Sequence, residues 1–256
     1  ADSKYWLWIN GRMVVFEGGL KRGPSPYDTY YDSVEIAPYL TSGENTIAVL
    51  VWHFGKNGFS HVNSGLAALL FEAIAPGIEI VSDKSWSCRL YDAYQNTGAP
   101  YPNYRLSESN IRFDARRTLE GWNQPGYKNT FPGAEIASVV GKAPLGNLVE
   151  RPIPLFKDFG LKEYPGVRRS ERGDHLFCRL PYNCQFTRCL NVESAEGATI
   201  HMQTDNYRGG GPENVRAEYV TRNGIQEYES YGWMSGHEMW YILPKGVKVL
   251  NVKYRE

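Results

Sequence analysis

The sequence predicts an all-β chain folded as two antiparallel β-sandwiches in tandem, and three observations predict it. Short runs alternate apolar with polar residues, as in Ser33-Val34-Glu35-Ile36 and again at Ile47, Val49 and Val51. That is the period-two pattern of strands with one face on a core. Asn10-Gly11 and Asn223-Gly224 interrupt such runs, and Asn-Gly is the strongest short hairpin signal, because both residues tolerate the positive φ of a type I′ turn. Almost nothing reads at helical period with caps over three turns. Many short strands separated by turns argue for sandwiches.

In order, Tyr5 to Ile9 form an aromatic strand, Asn10-Gly11 the turn, and Met13 to Phe16 its return. Residues 17–31 hold three glycines and two prolines, which rule out regular structure over most of their length. Tyr27, Tyr30 and Tyr31 crowd around Asp28 there, and such a loop either packs over the sheet or offers a stacking platform for a sugar ring. The run from Ser33 to Val51 reads as two strands about a turn at Ser42–Asn45. After it, Trp52, His53, Asn57, Phe59, His61 and Asn63 lie in a glycine-broken loop. Amides and imidazoles beside aromatics suit hydroxyl-rich ligands, and equally suit ordinary loop self-bonding. Leu66 to Phe71 fits either a buried strand or a helical turn. Glu79 to Val81 leads into a strand at Ser82–Leu90, and a polar, tyrosine-rich excursion runs from Tyr91 to Arg117. The segment from Gly141 to Pro154, with three prolines, two glycines and no periodicity, marks the domain boundary.

The second half repeats the β idiom. Phe177–Leu180 and Gln185–Val192 are candidate strands, followed by a turn at Ala195–Gly197 and the strand Ala198–Thr204. Ala217–Arg222 and Ile225–Tyr228 flank the second Asn-Gly, and Met239–Leu243 and Val247–Tyr254 flank Pro244-Lys245-Gly246, so two hairpins are expected. Of the cysteines, Cys178 and Cys184 flank Pro181-Tyr182-Asn183, where a cross-hairpin disulfide fits. Buried unpaired thiols are the plainer reading. Their spacing, with Cys88 and Cys189, matches no paired CxxC zinc site.

Composition narrows the function. Lys plus Arg equals Asp plus Glu at 28 each in 256 residues, so no basic surface argues for nucleic acid. No apolar run approaches a membrane span, and no basic-then-apolar signal peptide is visible. The hydrophobic share of 42%, with 14% aromatic, is that of a globular chain. Asp32, Glu35 and Glu44 sit where solvated acids are the normal expectation, and His201 reads as structural. His53, His61, His175, His201 and His237 show no metal spacing, and there is no nucleophile elbow, P-loop or dinucleotide fingerprint. Gly209-Gly210-Gly211 lacks the Lys and helix of a phosphate cradle and reads as a hairpin loop. The sequence offers no catalytic constellation.

YWLWINGRMV followed by YYDSVEIAPYLTSGENTIAVLVWHFG resembles the N-terminal β-sandwich of bacterial α-L-rhamnosidases. IVSDKSWSCR, FDARRTLEGWNQPGYKN and the tail from Ala198 to Glu256 resemble successive later segments of the same family in the same order. The first idiom also occurs in sugar-binding domains of β-galactosidases. The resemblance implies jelly-roll-like, galactose-binding-like sandwiches at 1–148 and 149–256, the second preceding the catalytic domain. It also implies a glycoside hydrolase as the parent protein, whose chemistry lies in an (α/α)6 barrel that this sequence does not reach. No catalytic residue is carried over. Ala1-Asp2-Ser3 runs straight into a strand, as in a piece of something longer, and the family's preceding strand is missing, which leaves one sandwich edge open or completed by another segment.

Two functions follow from the resemblance. The chain is either an accessory scaffold that braces the barrel or, alternatively, a stand-alone carbohydrate-binding module without hydrolase activity. In the second, Tyr30 or Trp52 stacks on a sugar and Asp28, His53 or Asn63 hydrogen-bonds it. The expected partners are the catalytic domain of the same polypeptide and a rhamnose-containing glycan, with neither nucleic acid nor membrane. No cofactor is expected, calcium being the one ion that some relatives' sandwiches admit. Family resemblance alone suggests a secreted or periplasmic protein.

Overall fold

The computed structural model describes residues 1–58, 61–75, 77–97, 110–206 and 216–256. Phe59, the middle of the Tyr91–Arg117 excursion and the run Gly209-Gly210-Gly211 lie outside the described residues. The strands are β1 (Lys4–Ile9), β2 (Arg12–Val15), β3 (Thr29–Tyr31), β4 (Ile47–Trp52), β5 (Glu72–Ala75), β6 (Ile78–Val81), β7 (Tyr94–Asn96), β8 (Ile111–Asp114) and β9 (Leu148–Glu150). They continue as β10 (Leu161–Glu163), β11 (Gly166–Arg169), β12 (His175–Ser194), β13 (Thr199–Thr204), β14 (Ala217–Val220), β15 (Gly224–Glu229), β16 (Met234–Ile242) and β17 (Lys248–Arg255). Among the described residues, helix is limited to 3-10 turns at Ala37–Tyr39 and Ala115–Arg117. The fold is an all-β sandwich fold, as the sequence predicts.

Two compact units result: Ala1–Leu90 with Leu119–Lys157, and Tyr91–Thr118 with Asp158–Glu256. Strands β7 and β8 fall inside the range 1–148, yet they belong to the second unit. There β8 pairs in parallel with β14 (Phe113 opposite Tyr219) and β7 pairs with β8.

In the first unit, β1 is the middle strand of β2-β1-β4. Asn10 (φ 50) and Gly11 (φ 76) are both left-handed, giving the expected hairpin. Asn10 also ties two sequence idioms together. Its side chain donates to Asn45 Oδ1 (2.8 Å) and to the Tyr39 carbonyl (3.1 Å), and accepts from the Thr46 amide (2.9 Å). Asn45 in turn donates to the Thr41 and Gly43 carbonyls, closing the turn before β4. Trp8 meets Trp122 edge-on at 5.3 Å, which brings the Gly121-Trp122-Asn123 segment back to β1.

Two expected strands are absent from this unit. Ser33–Ile36 runs into Pro38 and the 3-10 turn, with the Tyr39 amide bonded to the Ile36 carbonyl, so its alternation finds no ladder. Ser82–Leu90 is instead a turn at its start, followed by one isolated bridge from Ser87 to Gly133. Asp83 Oδ1 accepts the amide and hydroxyl of Ser85 (2.8 and 2.6 Å), and Trp86 folds back to donate to the Val81 carbonyl at 2.9 Å. Leu66–Phe71 is neither strand nor helix, contributing one isolated bridge, Asp2 to Ala68.

The second unit is a sandwich in which β12 belongs to both sheets. Its first part, through Phe186, pairs with β11 and β16. From Thr187 onward it pairs with β17 and β15. Consequently Phe177–Leu180 and Gln185–Val192 are one continuous strand with an irregularity between Arg179 and Cys184, not two strands about a hairpin. The second Asn-Gly also behaves differently from the first: only Gly224 (φ 90) is left-handed. It carries the chain from β14 across to β15, and Tyr219 stacks on Tyr228 at 4.7 Å instead of the two strands pairing. Pro244-Lys245-Gly246 likewise links β16 and β17, which pair with β12 and not with each other. Phe113, Tyr219, Tyr228, Phe186, Leu190, Met202 and Tyr241 lie in the buried core between the sheets.

Candidate functional site

The five predicted binding residues fall at two neighbouring places in the first unit. Both border the segment Lys21–Arg22: the Val62 amide donates to the Lys21 carbonyl (3.0 Å), and the Tyr30 amide to the Arg22 carbonyl (2.5 Å).

The first place is the end of β4. Trp52 is half-buried, stacked on Trp6 at 6.2 Å and edge-on to Phe54 at 5.3 Å; Phe54 meets His61 at 4.8 Å. Beneath these rings lies Lys4, 0% exposed, its ammonium 2.8 Å from Glu17 Oε2 and 5.1–5.8 Å from the centroids of Trp52, Trp6 and Phe54. A buried ammonium needs a countercharge, and the three ring faces add cation–π attraction. Much of Trp52 is therefore already engaged.

His53 Nδ1 lies 3.5 Å from Asp2 Oδ1. Burial alone would raise the Asp2 pKa, but hydrogen bonds from Ser64 and Ser3 outweigh it and hold the carboxyl below its ordinary value. Asn63 bonds locally: its amide donates to Asn57 Oδ1 (2.9 Å), and its own Oδ1 accepts the Gly65 amide (3.0 Å). These contacts are the loop self-bonding weighed above. They leave the Nδ2 groups of Asn57 and Asn63 without a protein acceptor among the described residues.

The second place surrounds β3, which pairs in parallel with β9. Asp28 Oδ2 accepts the Ser25 hydroxyl (2.8 Å) and Oδ1 accepts both N–H groups of Asn147 (3.2 and 3.1 Å). The Arg151 guanidinium sits 5.9 Å from the Tyr30 ring centroid and donates from Nε to Asp32 Oδ1 (2.5 Å). Asp32 Oδ2 accepts from Tyr5 Oη (3.0 Å) and the Gly19 amide (3.2 Å). Asp32 is thus an internal hub and not the solvated acid expected. Its charge and, more strongly, burial raise the Tyr5 pKa.

Among the described residues no three His, Cys, Asp or Glu side chains gather to hold a metal ion. Asp28 and Asp32 each already accept three hydrogen bonds from protein donors. No described helix is long and apolar enough to cross a membrane. Sequence reading missed Lys4, Glu17, Asp2 and Arg151. A lysine in a strand of aromatics, next to where Trp52 pairs, was the one local signal.

No family model and no curated protein matches the sequence. The fold is nevertheless that of solved rhamnosidases. A GH78 family rhamnosidase of Bacillus SP. GL1 superposes with a TM-score of 0.81 at 14% identity, over 100% of this chain and 51% of that one. An α-L-rhamnosidase from Dictyoglumus thermophilum gives 0.66 at 17%, over 97% and 29%. One from Streptomyces avermitilis, complexed with L-rhamnose, gives 0.65 at 17%, over 99% and 26%. The chain therefore spans from about a quarter to a half of the proteins it resembles, and at such identity the likeness establishes the fold.

Proposed function

We propose that this chain is the accessory β-sandwich segment of an α-L-rhamnosidase-like glycoside hydrolase, bracing a catalytic domain carried by the same polypeptide outside these residues. The observation behind it is the asymmetry of coverage: 97–100% of this chain, against 26–51% of three rhamnosidases. The sequence idioms agree with it, since Asn10, Asn45, Asp83 and Asp114 each serve a turn or cap. A secreted or periplasmic location goes with this reading. On 4-nitrophenyl α-L-rhamnoside, the 256-residue chain alone should release no nitrophenol, whereas the longer polypeptide containing it should. Turnover by the chain alone, or an inert longer polypeptide, overturns the reading.

A second reading, sugar binding by the same segment, is favoured by the half-buried Trp52 and by the Asn57 and Asn63 amides in the loop that follows it. Under it, an L-rhamnose titration, run with and without calcium, moves amide resonances saturably in residues 52–65 and His53→Ala weakens the response. No shift at millimolar sugar leaves bracing alone.

A further inference from the structure

Arg188 lies on β12 at the same side as Leu190 and Val192, the side that faces the core of the second unit. It is 0% exposed. Nη1 donates to the Gly232 carbonyl at 2.9 Å, while Nε and Nη2 have no hydrogen-bond partner among the described residues. Those two groups share one edge of the guanidinium and form the fork that grips an acceptor with two parallel bonds.

Among the described residues the charge has no protein counterion either. The groups that act on it are the phenols of Tyr228, Tyr241 and Tyr164, with no carboxylate among them. Burial raises the pKa of each phenol, so all three are neutral near pH 7 and offer O–H donors instead of negative charge. Tyr164 and Tyr241 hydroxyls lie 3.2 Å apart, and such a pair uses one of its two protons internally and keeps the other to donate. The Tyr228 hydroxyl stands beside Ser230 without a well-formed hydrogen bond. Among the described residues, phenol donors thus act on a buried cation whose Nε/Nη2 edge lacks an acceptor and whose charge lacks a counterion. A water would supply the first but not the second, and unpaired buried charge is the more heavily penalised.

We infer that the Nε/Nη2 edge of Arg188 holds a monovalent anion of the halide class inside the second unit. A halide is small, carries the missing charge and accepts from several directions at once, so it takes the guanidinium fork and neighbouring phenol donors together. Anything that binds the folded form alone stabilises it by mass action. The thermal midpoint therefore rises with sodium chloride or bromide and saturates, whereas sodium gluconate at equal ionic strength gives no such rise.

The deciding measurement is bromide anomalous scattering from crystals grown in sodium bromide. A peak in the fork is expected, lost in Arg188→Met together with the halide-dependent rise in midpoint. A map with no anomalous peak in the fork overturns the inference whatever the salts do. If Arg188→Met does not fold, the wild-type map and the comparison of salts decide alone.

Discussion

At Lys4 the first unit buries a full charge and matches it with Glu17 and three aromatic faces. Removing one member of such a pair strands the other, which costs about 3–5 kcal/mol, whereas replacing both with groups of similar volume is often neutral. Lys4→Met should therefore destabilise by about 3–5 kcal/mol in denaturant unfolding, and adding Glu17→Gln should recover a large part of the loss. A double variant no more stable than the single one would refute this account. Asp28 makes a case about pH. The Ser25 hydroxyl, then the Asn147 amide, hold its carboxyl below the ordinary 3.8. A pKa depressed on folding gives stability that is present above the unfolded value and is lost as pH falls through the folded one. The tie from Asp28 to Asn147 should persist in weak acid and release only below 3.8. The Asp28 carboxyl shift and the Asn147 amide shift should titrate together. An Asn147 amide indifferent to pH over the acid range would contradict it.

At the scale of elements, glycines separate conformational strain from close approach. Gly43 (φ +89) has open space where a Cβ would stand, but at Gly146 (φ +62) the Cβ would run into the Tyr27 carbonyl. Gly43→Ala should cost about 1–2 kcal/mol, the penalty of a left-handed alanine. Gly146→Ala should cost about 3 kcal/mol or more, since backbone must also shift. Equal losses in thermal unfolding would mean that the turn at 141–147 is not held against residues 27–29. Elements show equally what a sequence can reveal. The Asn10-Gly11 hairpin was legible because its cause is local, two residues able to take positive φ. Asn223-Gly224 carries the same dipeptide, yet whether flanking strands pair or stack face to face depends on β12 and β13, far away in sequence. Asp83 reads as part of a strand until its bonds to Ser85 are seen. The candidate site divides the same way. Trp52, His53 and Asn63 were singled out from their own neighbourhood, while Asp2 and Glu17, which engage the end of β4, and Arg151, which engages Asp32 beside Tyr30, come from distant stretches that no pattern connects.

For the molecule as a whole, the most consequential long-range event is the passage of Tyr91–Thr118 into the second unit. A cut in the proline-rich stretch after residue 148 looks natural in sequence. It would remove β7 and β8, leave the edge of β14 without its partner, and take Ala93, Phe113 and Ala115 out of the core. Phe113 alone stacks on Tyr228 at 4.7 Å and on Tyr219 at 6.1 Å. Losing one buried phenylalanine costs about 3–5 kcal/mol, against a typical total stability of about 5–15 kcal/mol, before the lost ladder is counted. An unpaired strand edge also invites association. The fragment 149–256 should accordingly show poor amide dispersion and no cooperative melting transition. The fragment 91–256, which restores β7 and β8 and carries 119–157 as a loop, should melt cooperatively. If 149–256 unfolds as cooperatively and as late as 91–256, the parallel pairing of β8 with β14 is not part of the second unit's folding core.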